Sequence, residues 1–138
     1  MDTFVDTGAW YASVVPGDPR HRDVLDWLGQ NAARLITTDY VIDETLTLMR
    51  VRGERTRSVE FGRQFFDLRV LNVHRLDDRD LRRGWELFRD EPSRGWSFTD
   101  CTSRAVIERF HLKRALTLDH HFAEFGIVEL VPGQRTRG

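Results

Sequence analysis

At 138 residues and a formal net charge of -1, the chain has the length of one domain, about 100 to 150 residues, which buries roughly 70% of its unfolded surface. Hydrophobic residues make up 40% and charged residues 31%, a globular balance that argues against disorder outside a short tail at 133–138. No stretch approaches the ~18 consecutive apolar residues of a membrane helix, and no basic segment precedes an apolar signal core, so a cytosolic protein without membrane contact is expected.

The chain opens on a short apolar strand, "TFVD", followed by a helical pattern over 7–14. The "GDPRH" stretch then predicts a turn and a helix over 20–32, with Asp18 as N-cap and Pro19 in its first turn. "RLITT" reads as a second strand, leading into helices over 39–52 and 54–68 that are broken at Gly53. "VLNVH" is a third strand, and helices follow over 77–90 and 99–111. "ALTL", a short helix over 119–124 and "VELV" complete the alternation. This order predicts a single α/β domain over 1–132, with a mostly parallel central sheet of about five short strands flanked by helices on both faces.

Cation and metal-ligand usage narrows the chemistry. Lys113 is the only lysine among 21 cationic residues. Arg50, Arg52, Arg55, Arg57 and Arg63 fall close together, either as a solvated face or as an edge facing phosphate or a partner. The lone Cys101 has no internal disulfide partner, and no histidine makes a zinc spacing with it. His120 and His121 are adjacent and, on a helix, are expected to point about 100° apart, a poor arrangement for sharing one metal.

The acids are the informative residues. Asp6 and Asp119 close strands, and Asp100 stands at the start of the 99–111 helix in "WSFTDCTSRAVIER". In an open α/β sheet the carboxyl ends of parallel strands form the rim where ligands collect. Each acid also has a purely structural reading as a helix cap. For Asp100 that reading is specific: Ser97 and Asp100 have capping-box spacing, and Arg104 stands four residues on, where it could pair with the acid. Glu44 is predicted to lie inside an apolar arc with Tyr40, Val41, Leu48 and Val51, where a carboxylate must be paired, protonated or cation-bound. An inward Glu with three rim acids implies a divalent cation held by oxygen, Mg²⁺ or Mn²⁺, and hence metal-assisted phosphodiester hydrolysis.

The segments "FVDTGAWYA", "TTDYVIDETLTLMR", "WSFTDCTSRAVIER" and "ALTLDHHFAEFG", in this order and spacing, resemble the PIN-domain ribonucleases, in particular the VapC-type toxins of toxin–antitoxin pairs. The resemblance covers nearly the whole chain and implies an acidic catalytic site at Asp6, Glu44, Asp100 and Asp119. Asp6 and Asp100 would be the principal metal ligands, Glu44 would shape the site, and Asp119 would orient the attacking water or help hold a second cation. Thr7 and Thr99 match the hydroxyl positions that orient the carboxylates. The resemblance further implies RNA cleavage leaving 5′-phosphate and 3′-hydroxyl ends, a homodimer, and inhibition by a cognate antitoxin lying along the acidic groove. Phe61, Phe65 and Phe66 are expected in the core, with a partner surface as the alternative. Two other readings stay open: a PIN-like binding or scaffold protein without activity, and a phospho-acceptor module, although Lys113 precedes its strand instead of ending it.

Overall fold

The computed structural model describes residues 1–69 and 71–133. Five strands, β1 (Asp2–Val5), β2 (Arg34–Thr38), β3 (Asn72–His74), β4 (Arg114–Leu116) and β5 (Glu129–Val131), form one all-parallel sheet in the order β3-β2-β1-β4-β5. Seven helices connect them: α1 (Thr7–Val14), α2 (His21–Gln30), α3 (Asp39–Val51), α4 (Arg55–Phe66), α5 (Asp78–Asp90), α6 (Phe98–Phe110) and α7 (His121–Phe125). These are the elements expected from the alternation of patterns. The proposed tail lies, beyond Gly133, outside the described residues, as does Val70 at the start of the expected third strand.

Strand order fixes where helices go. Right-handed crossovers carry α1 to α4 over one face as the chain steps from β1 outward to β3. The return from β3 to β4 and then β5 reverses that direction, so α5 to α7 cover the other face. Both faces of the central strand are sealed: Thr3, Phe4 and Val5 are successive, point alternately to opposite faces, and are all fully buried. β1, between β2 and β4, is the point where the winding reverses, and a crevice opens there beyond the strand ends.

Local details correct several expectations. α2 begins at His21 with Arg20 in the cap position and no side-chain cap bond. Asp18 instead closes the preceding turn, accepting the Arg20 backbone N–H at 2.8 Å. Phe61 and Phe65 are buried, packing their rings against each other and against Trp10, whereas Phe66 is exposed. Of the clustered arginines, Arg52 lies over the Tyr11 ring, Arg57 pairs with Glu54 and Arg63 with Asp67, so these three have local partners.

On α3 the buried face is Val41, Ile42, Thr45 and Met49. Glu44 is exposed and Val51 is 78% exposed, so the expected inward arc is wrong. The apolar residues of this helix span an arc wide enough for two orientations. Packing against both α1 and α4 selects the Ile42–Met49 side, leaving Glu44 at the border of the crevice.

Candidate active site

Asp6 follows the last residue of β1, and its backbone N–H donates to the Leu116 carbonyl at 3.1 Å, tying it to the end of β4. It holds the N-cap position of α1 but makes no side-chain cap bond, so the simple capping account fails for this residue. Its carboxylate is 5% exposed and accepts from the Thr117 hydroxyl at 3.3 Å. Burial pushes its pKa up to about 8, against the pull of the Thr7 backbone N–H, and the Asp100, Asp119 and Glu44 carboxylates push the same way.

Asp100 does cap its helix. Its N–H donates to Ser97 Oγ at 3.0 Å, and its Oδ2 accepts from the Ser97 N–H at 3.0 Å, a complete capping box. The residue is 7% exposed, and its Oδ2 also lies 3.1 Å from His121 Nδ1, so the cap bonds are not its only contact. Burial and then Asp119 raise its pKa, while the Ser97 N–H and His121 lower it. The expected partner Arg104 is engaged elsewhere: it bonds Glu108 at 3.0 Å and lies over the Trp96 ring.

Asp119 stands three residues past β4. Its N–H donates to Thr117 Oγ1 at 3.0 Å, and its Oδ1 accepts from the His121 N–H at 2.9 Å. Glu44 completes the group from the rim. Partial desolvation at the crevice border raises its pKa first, the Thr99 hydroxyl holds it down, and the Asp100 and Asp119 carboxylates add to the rise. The structure therefore brings together all four acids that the sequence singled out. Among the described residues none of them pairs with an arginine or lysine.

Two residues escaped the sequence reading. The Thr117 hydroxyl serves two acids at once, donating to Asp6 and accepting from the Asp119 backbone. His121 Nδ1 lies 3.1 Å from Asp100 Oδ2 and 3.3 Å from Asp119 Oδ1. Both fall in or beside the quoted "ALTLDHHFAEFG" segment, but neither spacing nor charge marks them before the strand end and α6 are placed together. The expected divergence of the two histidines is also corrected. His120 precedes the first helical residue, so the ring centroids lie 4.4 Å apart, and ligand atoms of Asp119, His120 and His121 fall within 4.8 Å of one another.

Whether these residues suit a hard dication can be judged from what surrounds them. Asp6, Asp100 and Glu44 have raised pKa values and no arginine or lysine partner among the described residues, and carboxylates so placed are relieved by a cation. The buried Thr7 Oγ1 beside Asp6 has no hydrogen-bond partner, leaving a polar atom available to a bound water. A hollow of about 540 Å³ lies elsewhere, between Asp2, Arg34, Asn72, His74 and Phe110, and holds none of the four acids. A polymer substrate calls for an open crevice instead.

Residues 3–128 match the PIN domain family. The chain is a PIN domain. It is 30% identical over 128 residues to a VapC ribonuclease of Archaeoglobus fulgidus, covering 89% of this chain and 80% of that protein. It is also 30% identical over 132 residues to the 23S rRNA-specific endonuclease VapC20 of Mycobacterium tuberculosis, covering 94% and 98%. The crystal structure of VapC20, described as a toxin that cleaves the sarcin–ricin loop, superimposes with a TM-score of 0.85 at 29% identity over 94% of this chain and 99% of that one. FitAcB of Neisseria gonorrhoeae shares this fold at 14% identity and a TM-score of 0.67, over 94% of this chain and 96% of that one.

Proposed function

We propose that this PIN domain is a metal-dependent endoribonuclease, the toxin of a toxin–antitoxin pair, with Asp6, Glu44, Asp100 and Asp119 as its catalytic acids. The observation that carries this reading is convergence without neutralisation: four acids from four places in the chain meet with no arginine or lysine paired to them among the described residues. Asp6, Asp100 and Asp119 would hold Mg²⁺ or Mn²⁺, and Glu44 would shape the rim. When bound, the cation lowers the pKa of a coordinated water and offsets charge on the phosphoryl oxygens. The chain's own part is orientation. Thr117 holds Asp6 and the Asp119 backbone, Thr99 holds Glu44, and the Ser97 N–H fixes the Asp100 oxygen it bonds. Thr7 is placed to hold a water beside Asp6.

The activity named for VapC20 makes the sarcin–ricin loop of 23S rRNA the first substrate to try. A cognate antitoxin laid along the acidic groove would block it. The homodimer has a suitable surface in the exposed, stacked Trp85 and Phe88, whose ring row continues through Phe98 to Tyr40 beside the crevice. A two-fold contact buries the same patch twice. Solution mass of Trp85→Ser beside the parent chain checks this part.

The deciding experiment maps RNA ends after brief induction of the chain, with Asp100→Asn in parallel. New 5′-phosphate ends that require Mg²⁺ or Mn²⁺ and vanish in the variant are expected. Equal cleavage by the variant removes Asp100 from the chemistry, and absence of cleavage of any RNA by the parent chain favours a binding protein.

A further inference from the structure

We propose that His121 is a positioning residue of the nuclease site, which holds Asp100 and Asp119 in register, its Nδ1–H on Asp100 and its backbone N–H on Asp119. The inference rests on the functional reading above. Carboxylates accept hydrogen bonds and repel each other, so two of them on different elements need a donor between them. His121 Nδ1 occupies that place, 3.1 Å from Asp100 Oδ2 on α6 and 3.3 Å from Asp119 Oδ1 on the loop after β4. Because both partners only accept, Nδ1 carries the hydrogen. The His121 backbone N–H bonds Asp119 Oδ1 at 2.9 Å, so one residue holds both carboxylates, one by its ring and one by its backbone.

The ring is not free to choose this position. Helix α7 is fastened to the loop before α6 by three successive residues. Arg94 pairs with Glu124 at 2.8 Å, Trp96 packs edge-on against Phe125 at 5.2 Å, and between them Gly95 backs the His121 ring. A Cβ at Gly95 would stand 3.2 Å from His121 Nε2, closer than comfortable packing allows. The ring therefore has the Gly95 backbone on the side away from the acids, with little room there for a Cβ.

The chemistry separates two roles that His121 could take. As a hydrogen-bond donor it needs an N–H at the Nδ1 position. As a metal ligand with Asp119 and His120 it needs a lone pair there. Asparagine places an amide N–H in nearly the same location but offers no nitrogen lone pair, whereas glutamine carries its amide one methylene too far.

The test measures Mn²⁺ affinity of the purified chain by the signal of free Mn²⁺, together with RNA cleavage and the unfolding midpoint. His121→Ala and His121→Gln are expected to lose about ten- to a hundredfold in Mn²⁺ affinity or cleavage rate, the usual effect of removing a group that orients a metal ligand. His121→Asn is expected to recover to within a few fold of the parent. Gly95→Ala, which leaves His121 itself in place, is expected to lose severalfold with an unchanged midpoint. Parent-like Mn²⁺ binding and cleavage in His121→Ala overturn the proposal. So does an Asn variant no better than Gln, which makes His121 a ligand. If the parent chain neither binds Mn²⁺ nor cuts RNA, the nuclease reading itself has failed and takes this inference with it.

Discussion

Two helix starts in this protein are near copies in local structure and opposite in chemistry. At α5, Asp80 caps through a box with Asp77, is 1% exposed, and bonds a histidine, His74, at 2.7 Å. At α6, Asp100 caps through a box with Ser97, is 7% exposed, and bonds a histidine, His121, at 3.1 Å. The difference is Arg109, which reaches Asp80 at 3.0 Å and Asp77 at 2.9 Å. The Asp80 backbone N–H first, and then that guanidinium, hold the Asp77 carboxyl down at about 2. Asp100 has no arginine or lysine partner among the described residues, and burial first, then the Asp119 carboxylate, raise its pKa. A buried capping acid is therefore no sign of function by itself. The fixed counter-charge decides: where it is present the cluster is a structural joint, and where it is missing the cluster is open to a cation.

The largest expected effect tests this contrast directly. Asp100→Asn keeps a capping acceptor and should retain the fold while losing RNA cleavage by at least about a hundredfold, beyond what loss of an orienting group costs. Asp80→Ala should do the reverse. It strands buried donors and a cap, lowering stability by about 1 to 3 kcal/mol in thermal or denaturant unfolding, while cleavage per folded molecule persists. If Asp80→Ala also removes cleavage in folded protein, the division between joint and site is wrong.

Next in size is the response to divalent cations. Mg²⁺ or Mn²⁺ at a hundred times its dissociation constant should stabilise the parent by about 2.7 kcal/mol, and Asp6→Asn should blunt that response. A midpoint independent of cation across the millimolar range contradicts the site.

A further effect is a slope against pH. In the metal-free protein, folded Asp6 keeps its proton up to about 8 while the unfolded chain releases it near 4. Between those values the folded state binds more protons. Stability should therefore fall as pH rises from 5 to 8, by up to about 1.4 kcal/mol per pH unit for one retained proton, and Asp6→Asn should flatten the slope. A rising midpoint over that window would show that Asp6 ionises easily when folded. The smallest effect is expected at the exposed rim, where Glu44→Gln should slow cleavage by less than Asp100→Asn does, in the same assay.

Much of this was legible in the chain alone. The alternation of short apolar strands with amphipathic helices determined an α/β sheet, because period and length distinguish those elements without knowledge of neighbours. Ser97 and Asp100 announced their box because a cap is a local bond. The positions of Asp6 and Asp119 at strand ends pointed to one rim, because parallel sheets gather such ends together. The resemblance of four segments to the PIN family supplied the same four acids.

What the sequence did not determine is everything that depends on a second element. Glu44 was expected inward, because α3 has more apolar residues than one face can bury, and only packing against α1 and α4 chose between them. Arg104 looked like a partner for Asp100 at helical spacing, yet Glu108 offered it a competing carboxylate on the same helix while Trp96 stacked on it. Thr117 and His121 became visible as parts of the site only once β4, α6 and α7 stood side by side. Local bonds and periodicity are written in adjacent residues. Which charges end up neutralised, and which are left facing one another, is decided by contacts between residues as far apart as Asp6 and Thr117, and those exist only in the folded chain.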